Sequence, residues 1–504
     1  MTYPSLPMQF KRKYAAPALA AVLLAACSAG PAYKRPDVTM PSTFKEATVE
    51  INGTPWKTAQ PADVLPRGPW WENFQDSLLN SLAAQVEVSN ENLKSTVAKY
   101  AQAKALVDSA RSAWFPTFNL NAGTTRAKNA VTGINSPAAT TTDTVSVSAS
   151  SWEIDLWGRI RNTVDSNELA AVASIADIES LKLSLQAQLA QSYLSLRVAD
   201  EQISLLNRTV DDYTKALELT TNRFKAGVVS RADVAQAETQ LKSTQAQAID
   251  AGIARAQFEH AIAVLIGKAP ADFTIVPATL SAKFPQIPLT VPSQLLERRP
   301  DIAGAERRMA SANAQIGAAQ AALFPQLTLA GTVGYRQNSW ANILSLPNRF
   351  WSVGPALALT LFDGGLKRSQ IAQAEAIYDQ NVASYRQTVL TAFQDVEDNL
   401  VSLRLLEQEA VVQAEAVRAA NESLDHAIAQ YKGGTVSYLN VITAQTAAYT
   451  NRNAEFNVMT RRFVASVGLY KALGGGYEQS AMTAPPVPVP QKLQLKRAEI
   501  LQSK

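Results

Sequence analysis

Two long stretches of this chain carry apolar residues at helical spacing and contain neither Gly nor Pro. One runs from Arg159 to Ala226 and the other from Leu366 to Lys432. At about 1.5 Å per residue, a helix of that length spans roughly 100 Å. Ordinary globular helices have about 8–20 residues, so the pattern predicts coiled-coil or helical-tube packing. A further long helix is predicted between Trp71 and Phe115, where Gly and Pro are also absent.

Four shorter stretches alternate between apolar and polar residues, which is typical of strands with two different faces. They are residues 117–122, 144–156, 326–335 and 353–361. In the second stretch the phase slips between Ala149 and Trp152, which indicates a bulge. The lengths suit strands that span a bilayer in a β-barrel, and Trp and Phe cluster at the strand ends like the aromatic girdles of such barrels. A soluble sandwich with one polar face is the alternative that the pattern leaves open.

The predicted elements occur twice along the chain. FKAGVVSRADV at 224–234 corresponds to YKGGTVSYLNV at 431–441, and Phe115-Pro116 corresponds to Phe324-Pro325. Matching positions lie 205 to 209 residues apart. A period this long indicates tandem duplication of a whole domain, in which each half contains a helix, two strands, a long helix, a turn and a helix.

The duplication constrains any membrane assembly. Closed membrane barrels start at about eight strands, and open strand edges are excluded from lipid. Four strands therefore cross a membrane only if several chains share one barrel. Beyond the leader, no run of 18 or more apolar residues predicts a membrane-spanning helix.

The first residues have the pattern of a secretory leader. Lys11-Arg12-Lys13 precede the apolar residues 14–26, which are too few to span a membrane. Leu24-Ala25-Ala26 then precede Cys27, which is the only cysteine of the chain. This arrangement resembles a bacterial lipobox, and the resemblance implies that Cys27 becomes the lipid-bearing N-terminus. An ordinary cleavage site followed by a chance cysteine is the alternative.

Composition excludes several classes of function. The 504 residues are 47% hydrophobic, which suffices for a large core. The net charge of +4 falls to +1 without the three basic leader residues, so charge gives no reason to expect a nucleic-acid partner. One cysteine allows no intramolecular disulfide. His260 and His426 lie in helical patterns without a second His or Cys nearby, and no catalytic motif is present. We therefore expect no metal, no enzyme activity and no cofactor other than the lipid on Cys27.

Two motifs are specific enough to indicate a family. They are LLERRPDIAGAERRMASANAQIGAAQAALFPQLTLAGTVG at 295–334 and WWENFQDSLLNSL at 70–82. Both closely resemble the TolC-like outer-membrane factors, lipoprotein channels of resistance-nodulation-division (RND) tripartite efflux systems. Arg298, Arg299, Pro300 and Asp301 form the most characteristic part of the first motif. Pro300 also suits the first position of a helix, and Asp301 complements the helix dipole there.

The resemblance covers the chain from the lipobox to about residue 475 and implies an α+β membrane protein. In that family three chains form a homotrimer, and four strands from each contribute to a 12-stranded β-barrel. A long periplasmic α-helical barrel with a mixed equatorial region continues it. The protein is then a passive exit duct for small molecules such as antibiotics, located in the outer membrane and extending into the periplasm. The implied partners are a periplasmic adaptor protein, an inner-membrane RND pump and outer-membrane lipid.

The predicted domain organisation follows the duplication. It comprises a signal peptide (1–26), a lipidated tether (27–69), a first repeat (70–267), an equatorial linker (268–294), a second repeat (295–474) and an equatorial tail (475–504).

The resemblance places the two glycine-bearing turns at a periplasmic tip that acts as a gate. By motif position, Tyr431 takes part in the polar links that close this tip, and Asp233 is its acidic partner. Gly227 and Gly434 supply backbone conformations that are costly for residues with a Cβ. Family members often carry acids at the places of Asn440 and Thr443, which here are polar but uncharged. We therefore expect a less cation-selective tip.

The sequence leaves three alternatives to small-molecule efflux open. A type I protein-secretion channel and a metal-efflux channel have the same fold. A structural lipoprotein or coiled-coil scaffold has similar helices but conducts no ions.

Overall fold

The computed structural model describes residues 30–36, 44–45, 68–128, 139–285 and 298–475. The predicted leader, Cys27, most of the tether, part of the linker and nearly all of the C-terminal tail lie outside these residues. The predicted domain boundaries stay predictions.

The described helices repeat in length as well as in sequence. They are α1 (Ser77–Ser89), α2 (Glu91–Ser112), α3 (Arg159–Lys225), α4 (Arg231–Leu265), α5 (Pro300–Ala321), α6 (Leu366–Lys432) and α7 (Tyr438–Ala472), with short 3-10 turns at Trp70–Phe74, Pro270–Asp272 and Leu346–Asn348. Helices α3 and α6 both have 67 residues, α4 and α7 both have 35, and α2 and α5 both have 22. The two longest helices thus confirm the predictions for 159–226 and 366–432.

The single helix predicted for 71–115 is wrong, because two polar residues interrupt it. Asp76 is extended and its carboxylate accepts hydrogen bonds from the backbone N–H groups of Leu78 and Leu79, which starts α1. Asn90 is also extended, and its side-chain oxygen accepts from Leu93 N–H at the start of α2. Asp and Asn compete with the helical backbone for hydrogen bonds and therefore favour caps. Absence of Gly and Pro did not reveal these breaks.

Four helix ends use the same glycine turn. After α3, Gly227 N–H donates to Phe224 O and Val228 N–H donates to Arg223 O. After α6, Gly434 N–H donates to Tyr431 O and Thr435 N–H donates to Gln430 O. This pair of bonds defines the Schellman motif, which requires a left-handed residue. Gly227 and Gly434 have φ values of 73° and 76°, and the ends of α4 and α7 use Gly267 and Gly474 in the same way.

The strands form one antiparallel sheet in the order β1-β2-β3-β4, so the second strand of the first repeat pairs with the first strand of the second. Their bounds are β1 (Phe118–Ala127), β2 (Thr140–Glu153), β3 (Gln326–Gln337) and β4 (Arg349–Ala358). The predicted bulge is confirmed by a register shift between Ala149 and Trp152.

Each of the four strands differs from its predicted bounds at one end or both. The first hairpin pairs out to Ala127 and Thr140, beyond the predicted 117–122 and 144–156. The threonine-rich end of β2 does not alternate, yet β-branched residues favour strands and the pairing extends through them. β4 ends at Ala358, so residues 359–361 of the predicted 353–361 lie after it.

The sheet has one apolar and one polar face. In the observed register, paired residues such as Leu120 and Val147, or Val333 and Trp351, share the apolar face. On the other face, Asn121 Nδ2 donates to Ser148 Oγ at 2.9 Å. The apolar part of this face comprises Phe118, Leu120, Ala122, Val145, Val147, Ala149, Trp152, Leu327, Leu329, Gly331, Val333, Tyr335, Trp351, Val353, Pro355 and Leu357, and near the hairpin ends the same face carries Thr124, Arg126, Thr141, Asp143, Gln337 and Arg349.

The chain forms two compact units. One contains the sheet and comprises Ala98–Ile175, Gly304–Arg386 and the segment 30–36. The other includes Ala176–Ala303 and contains a hydrophobic core. The motif at 70–82 supplies Trp70, Trp71, Phe74, Leu79 and Leu82 to this core, where Trp70 stacks on Tyr470 with ring centroids 5.4 Å apart. The conspicuous aromatic motif is therefore a packing element.

None of the helices in the described ranges is sufficiently long and apolar to cross a membrane.

The glycine turns predict a stability difference between two Gly→Ala variants. We expect Gly434→Ala to lower the free energy of unfolding by about 1–2 kcal/mol, because alanine is strained in the left-handed conformation. Steric contact does not explain the cost, since a Cβ there meets only Arg223 Nη2 at 3.9 Å. Gly252 lies inside α4 with no atom within 4 Å of an added Cβ. Gly252→Ala should therefore stabilise the protein by about 0.5–1 kcal/mol. Denaturation of both variants in detergent measures the difference, and equal effects would contradict it.

Candidate functional site

Tyr431 lies at the end of α6 and is held by a side chain from α3. It is only 5% exposed. Arg223 Nη1 donates to Tyr431 O at 2.9 Å, and the Arg223 Cζ lies 4.6 Å from the centre of the Tyr431 ring. The guanidinium therefore binds a terminal helix carbonyl and also forms a cation–π contact with the ring. These two contacts join the ends of the two longest helices.

The Tyr431 hydroxyl faces a buried threonine on α3. Thr220 Oγ1 donates to Ala216 O at 2.8 Å. Its proton is thereby used, so Tyr431 is the donor in the longer 3.4 Å contact between the two hydroxyls. Tyr431 thus contacts α3 through its carbonyl, its ring and its hydroxyl.

A second tyrosine packs against the first. The ring centroids of Tyr431 and Tyr438 are 5.2 Å apart, and Tyr438 is the first residue of α7. Burial, with a smaller contribution from neighbouring tyrosines, raises the pKa of Tyr438 to about 12. A cavity of about 620 Å³ opens beside this pair and is also lined by Tyr213 and Tyr449. Packing around Tyr431 is therefore incomplete on one side.

The turn of the first repeat has a different arrangement. Ser230 caps α4, and its hydroxyl accepts from Asp233 N–H. The Asp233 carboxylate accepts in return from the backbone N–H of Ser230 at 2.9 Å and from its hydroxyl at 2.8 Å. This reciprocal pair is a capping box. Within one chain, Asp233 and Tyr431 thus have separate partners, and a link between them stays a prediction.

Asn440 and Thr443 lie on the exposed side of the first turns of α7. Asn440 follows Asp233 by 207 residues and occupies the same helix position. The N-cap of α7 is Ser437, whose side chain makes no capping hydrogen bond. The missing carboxylate therefore also leaves the second turn without the capping box of the first.

The Arg-Pro-Asp motif joins three helices. Helix α5 begins at Pro300, with Asp301 in its first turn. Arg299 binds Asp301 through Nε at 3.1 Å and Nη2 at 2.7 Å, and its Nη1 reaches Asp395 of α6 at 3.1 Å. The same Nη1 donates to Ala472 O at the end of α7. Burial opposes the charge of Arg299, but its two carboxylate partners outweigh this and raise its pKa.

The first repeat has a neutral counterpart of this junction. Asn90 Nδ2 donates to Leu265 O at 2.8 Å, at the end of α4. Asn90 and Leu265 precede Arg299 and Ala472 by 209 and 207 residues. In both repeats, a side chain at the start of one helix therefore caps the end of another.

No group of three or more potential metal ligands occurs among the residues that the structure describes. Cys27 lies outside them. The lipid on Cys27 and the absence of any other cofactor therefore stay predictions.

Comparison with known proteins identifies the family. The sequence model described as "Outer membrane efflux protein" matches residues 82–268 and 291–475, which is most of the chain. This chain belongs to the outer membrane efflux protein family. Its relatives include outer membrane protein OprJ of Pseudomonas aeruginosa, 29% identical over 466 residues that cover 92% of this chain and 95% of OprJ.

Further relatives agree in function and fold. The toluene efflux pump outer membrane protein TtgC of Pseudomonas putida is 29% identical over 471 residues, covering 92% of this chain and 96% of TtgC. The solved structure of the outer-membrane channel OprN superimposes with a TM-score of 0.80 at 29% identity, covering 89% of this chain and 99% of OprN. The predicted fold class, outer-membrane location and role as an efflux exit channel are confirmed. A family of channels also fits the expectation that the chain is not an enzyme.

Sequence reasoning on this efflux protein missed Arg223, Thr220 and Asp395. Arg223 carried a usable signal, because a basic residue in the last turn of a helix often binds terminal carbonyls. Asp395 lies 96 residues from Arg299 in a helix rich in acids, so nothing local marked it. Arg298 packs its backbone against the turn at Gly474, where an added Cβ would lie 3.4 Å from it.

Removal of the Arg299 fork should destabilise this junction. We expect Arg299→Gln to cost about 2–3 kcal/mol of unfolding free energy, because two carboxylates and a helix end lose a charged donor. Arg299→Lys should recover only part of it, since an ammonium cannot bind Asp301 through two nitrogens in a fork. Arg461 offers a control, as its pair with Glu409 is exposed and 3.3 Å long. Arg461→Gln should cost less than about 0.5 kcal/mol. Similar losses for Arg299→Gln and Arg461→Gln in denaturation experiments would contradict the prediction.

Proposed function

We propose that this chain is the passive exit duct of a tripartite efflux pump that carries small molecules from the periplasm to the exterior. The two-faced sheet is the observation that carries the proposal. A membrane sheet needs an apolar face toward lipid and a polar face toward a channel, and both extend over most of the strand length here. The chain does no chemistry of its own.

The sheet edges support a homotrimer. Within the described strands, β1 pairs only with β2, and β4 pairs only with β3. Lipid excludes unpaired edges, and four strands are too few for a closed barrel. Three copies supply twelve strands and leave no edge. The partners inferred from the family resemblance are a periplasmic adaptor and an inner-membrane RND pump.

The segment 30–36, which follows the proposed lipid-bearing Cys27 in the sequence, packs against α5. Asn313 Nδ2 donates to Pro31 O at 2.9 Å, and Tyr33 donates to Glu306 at 2.9 Å. A Cβ on Gly30 would lie 2.7 Å from Gly317 Cα, so the segment lies directly against α5. The proposed lipid on Cys27 would precede this packed segment in the sequence.

The contacts of Tyr431 support a gate at the glycine turns. Arg223 and Tyr431 bind the ends of α3 and α6 together, and the adjoining cavity lets this pair rearrange with little loss of packing. Opening by the adaptor and pump would then require release of this contact. The proposed Asp233–Tyr431 link belongs to the same gate.

Deletion of the gene tests the proposed cargo class. A deletion strain should become at least fourfold more sensitive to dyes, solvents or antibiotics, and the wild-type gene should restore resistance. Loss of a secreted protein with unchanged drug sensitivity would favour the protein-secretion alternative. Sensitivity to metal salts alone would favour metal efflux. Absence of conductance by the purified protein in planar bilayers would favour a structural scaffold.

Arg223→Ala tests the gate. This variant loses both the bond to Tyr431 O and the cation–π contact, so we expect a rise in single-channel conductance of at least about twofold in planar bilayers, from a contact worth about 1–2 kcal/mol. Tyr431→Phe keeps the ring and carbonyl and should have a smaller effect. Arg208 is an exposed arginine earlier in the same helix, so Arg208→Ala serves as the matched control. A conductance of Arg223→Ala equal to that of the control would refute this gate contact.

A further inference from the structure

The polar face of the sheet carries charge at two positions along the described strands. Its other members there are small, amide or aromatic, such as Asn121, Ser148 and Thr332. Glu153 lies at the end of β2 nearest α3, paired with Thr328. Arg336 lies toward the opposite end of the sheet, paired with Thr144. Within the strands, any preference of this face for anions or cations therefore depends on Glu153 and Arg336.

Glu153 is neutralised by a neighbouring arginine. Arg159 Nε lies 2.9 Å from one carboxylate oxygen of Glu153 and 3.1 Å from the other. Such a two-oxygen contact cancels most of the field of the carboxylate at a distance. Arg336 is therefore the charge that dominates the polar face.

Arg336 is positioned by an aromatic ring and not by an acid. Its Cζ lies 4.6 Å from the centre of the Phe350 ring, which belongs to the same face of β4. The carboxylate closest in register, Asp143, lies on the other face and accepts a hydrogen bond from Thr124 at 2.6 Å. The cation–π contact holds the guanidinium in place without cancelling its charge.

The strands approach each other closely at Gly334, which belongs to the polar face. A Cβ on Gly334 would overlap Val145 O and would lie 2.6 Å from Ser146 Cβ. Glycine inside a strand often marks a sharp bend at a barrel corner or a close approach of backbones. Gly334 thus fits curvature of the sheet around its polar face, with Arg336 two residues further along the same face.

We propose that Arg336 lines the exit of the channel and gives it a local preference for anionic over cationic solutes. This inference rests on the proposed trimer, in which three copies of Arg336 surround the same lumen. Low-dielectric walls focus the field of like charges, and a flow path through them favours solutes of opposite sign. Arg336 is then a selectivity residue of the sheet, distinct from the proposed gate at the glycine turns.

A cysteine introduced on the polar face of the sheet can report the electrostatic potential that Arg336 creates there. This measurement does not require the periplasmic tip to open. Ser352 lies on the polar face two residues from Phe350, and Val353 lies on the apolar face. In the full-length protein in intact cells, Ser352→Cys is treated with anionic sulfonatoethyl and cationic trimethylammonioethyl methanethiosulfonate. At low ionic strength the Debye length is about 30 Å, so the field of Arg336 is weakly screened. The anionic reagent should then react faster with Ser352→Cys, relative to the cationic reagent, than it does at high ionic strength.

Arg336→Gln should lower the anionic-to-cationic rate ratio at least about fourfold, because one unit charge at about 10 Å in water has an effect of that size and the other two copies add to it. Arg349 lies on the opposite face of the adjacent strand, so Arg349→Gln in the same reporter background is the matched control and should leave the ratio unchanged. An unchanged ratio in Arg336→Gln, or an equal fall in Arg349→Gln, would overturn the proposed role of Arg336.

A second reporter cysteine distinguishes an incorrect role for Arg336 from an incorrect assignment of the polar face to the channel lumen. Val353→Cys should react with neither reagent, because its side chain faces lipid if the polar face lines the lumen. Reaction of Val353→Cys as fast as Ser352→Cys would refute the assignment of the two faces, and with it the inference. Protection of Val353→Cys together with an unchanged ratio at Ser352→Cys would refute the role of Arg336 alone.

Discussion

Long helices leave their last carbonyl groups without intrahelical partners, and the reversals of this chain depend on satisfying them. Each of the four longest helices ends in a Schellman turn at a left-handed glycine. At three of these ends a side chain from elsewhere adds another donor: Arg223 to Tyr431 O, Asn90 to Leu265 O and Arg299 to Ala472 O. Backbone turns of one type therefore end these helices, and at three of the ends the added side chain joins the helix to another one.

The duplication shows where the two halves have diverged. Tyr431 is 5% exposed, whereas its counterpart Phe224 is 39% exposed. Asp233 completes a capping box, whereas its counterpart Asn440 does not. Because the backbone turns are alike, these differences are not required by the fold itself. Both differences lie at the turns between α3 and α4 and between α6 and α7, which is where the gate is proposed.

The sequence predicted long-period features well and long-range partners poorly. Helix lengths, the bulge and the glycine turns follow from local periodicity and backbone preference, so the long helices and the turns at Gly227 and Gly434 could be predicted. The breaks at Asp76 and Asn90 could not, because cap residues without Gly or Pro nearby leave the helical pattern intact. The partners of Arg299 and Tyr431 lie on other helices, and one sequence does not pair residues across about 100 or 200 positions. The resemblance to a family supplied the role of the tip but not the contact with Arg223.

Charge along the polar surfaces points to a duct with weak chemical preference. The tip positions Asn440 and Thr443 are uncharged, Glu153 is paired with Arg159, and the polar face of the sheet consists mainly of Ser, Thr, Asn and Gly. Short hydroxyl and amide side chains offer hydrogen bonds to many solutes without fixing a geometry for any of them. Strong binding in a channel would slow release, so such a lining favours passage over recognition. Selection of cargo then has to occur before the duct, and a single class of charge at the exit alters the rate of escape without deciding which molecules arrive.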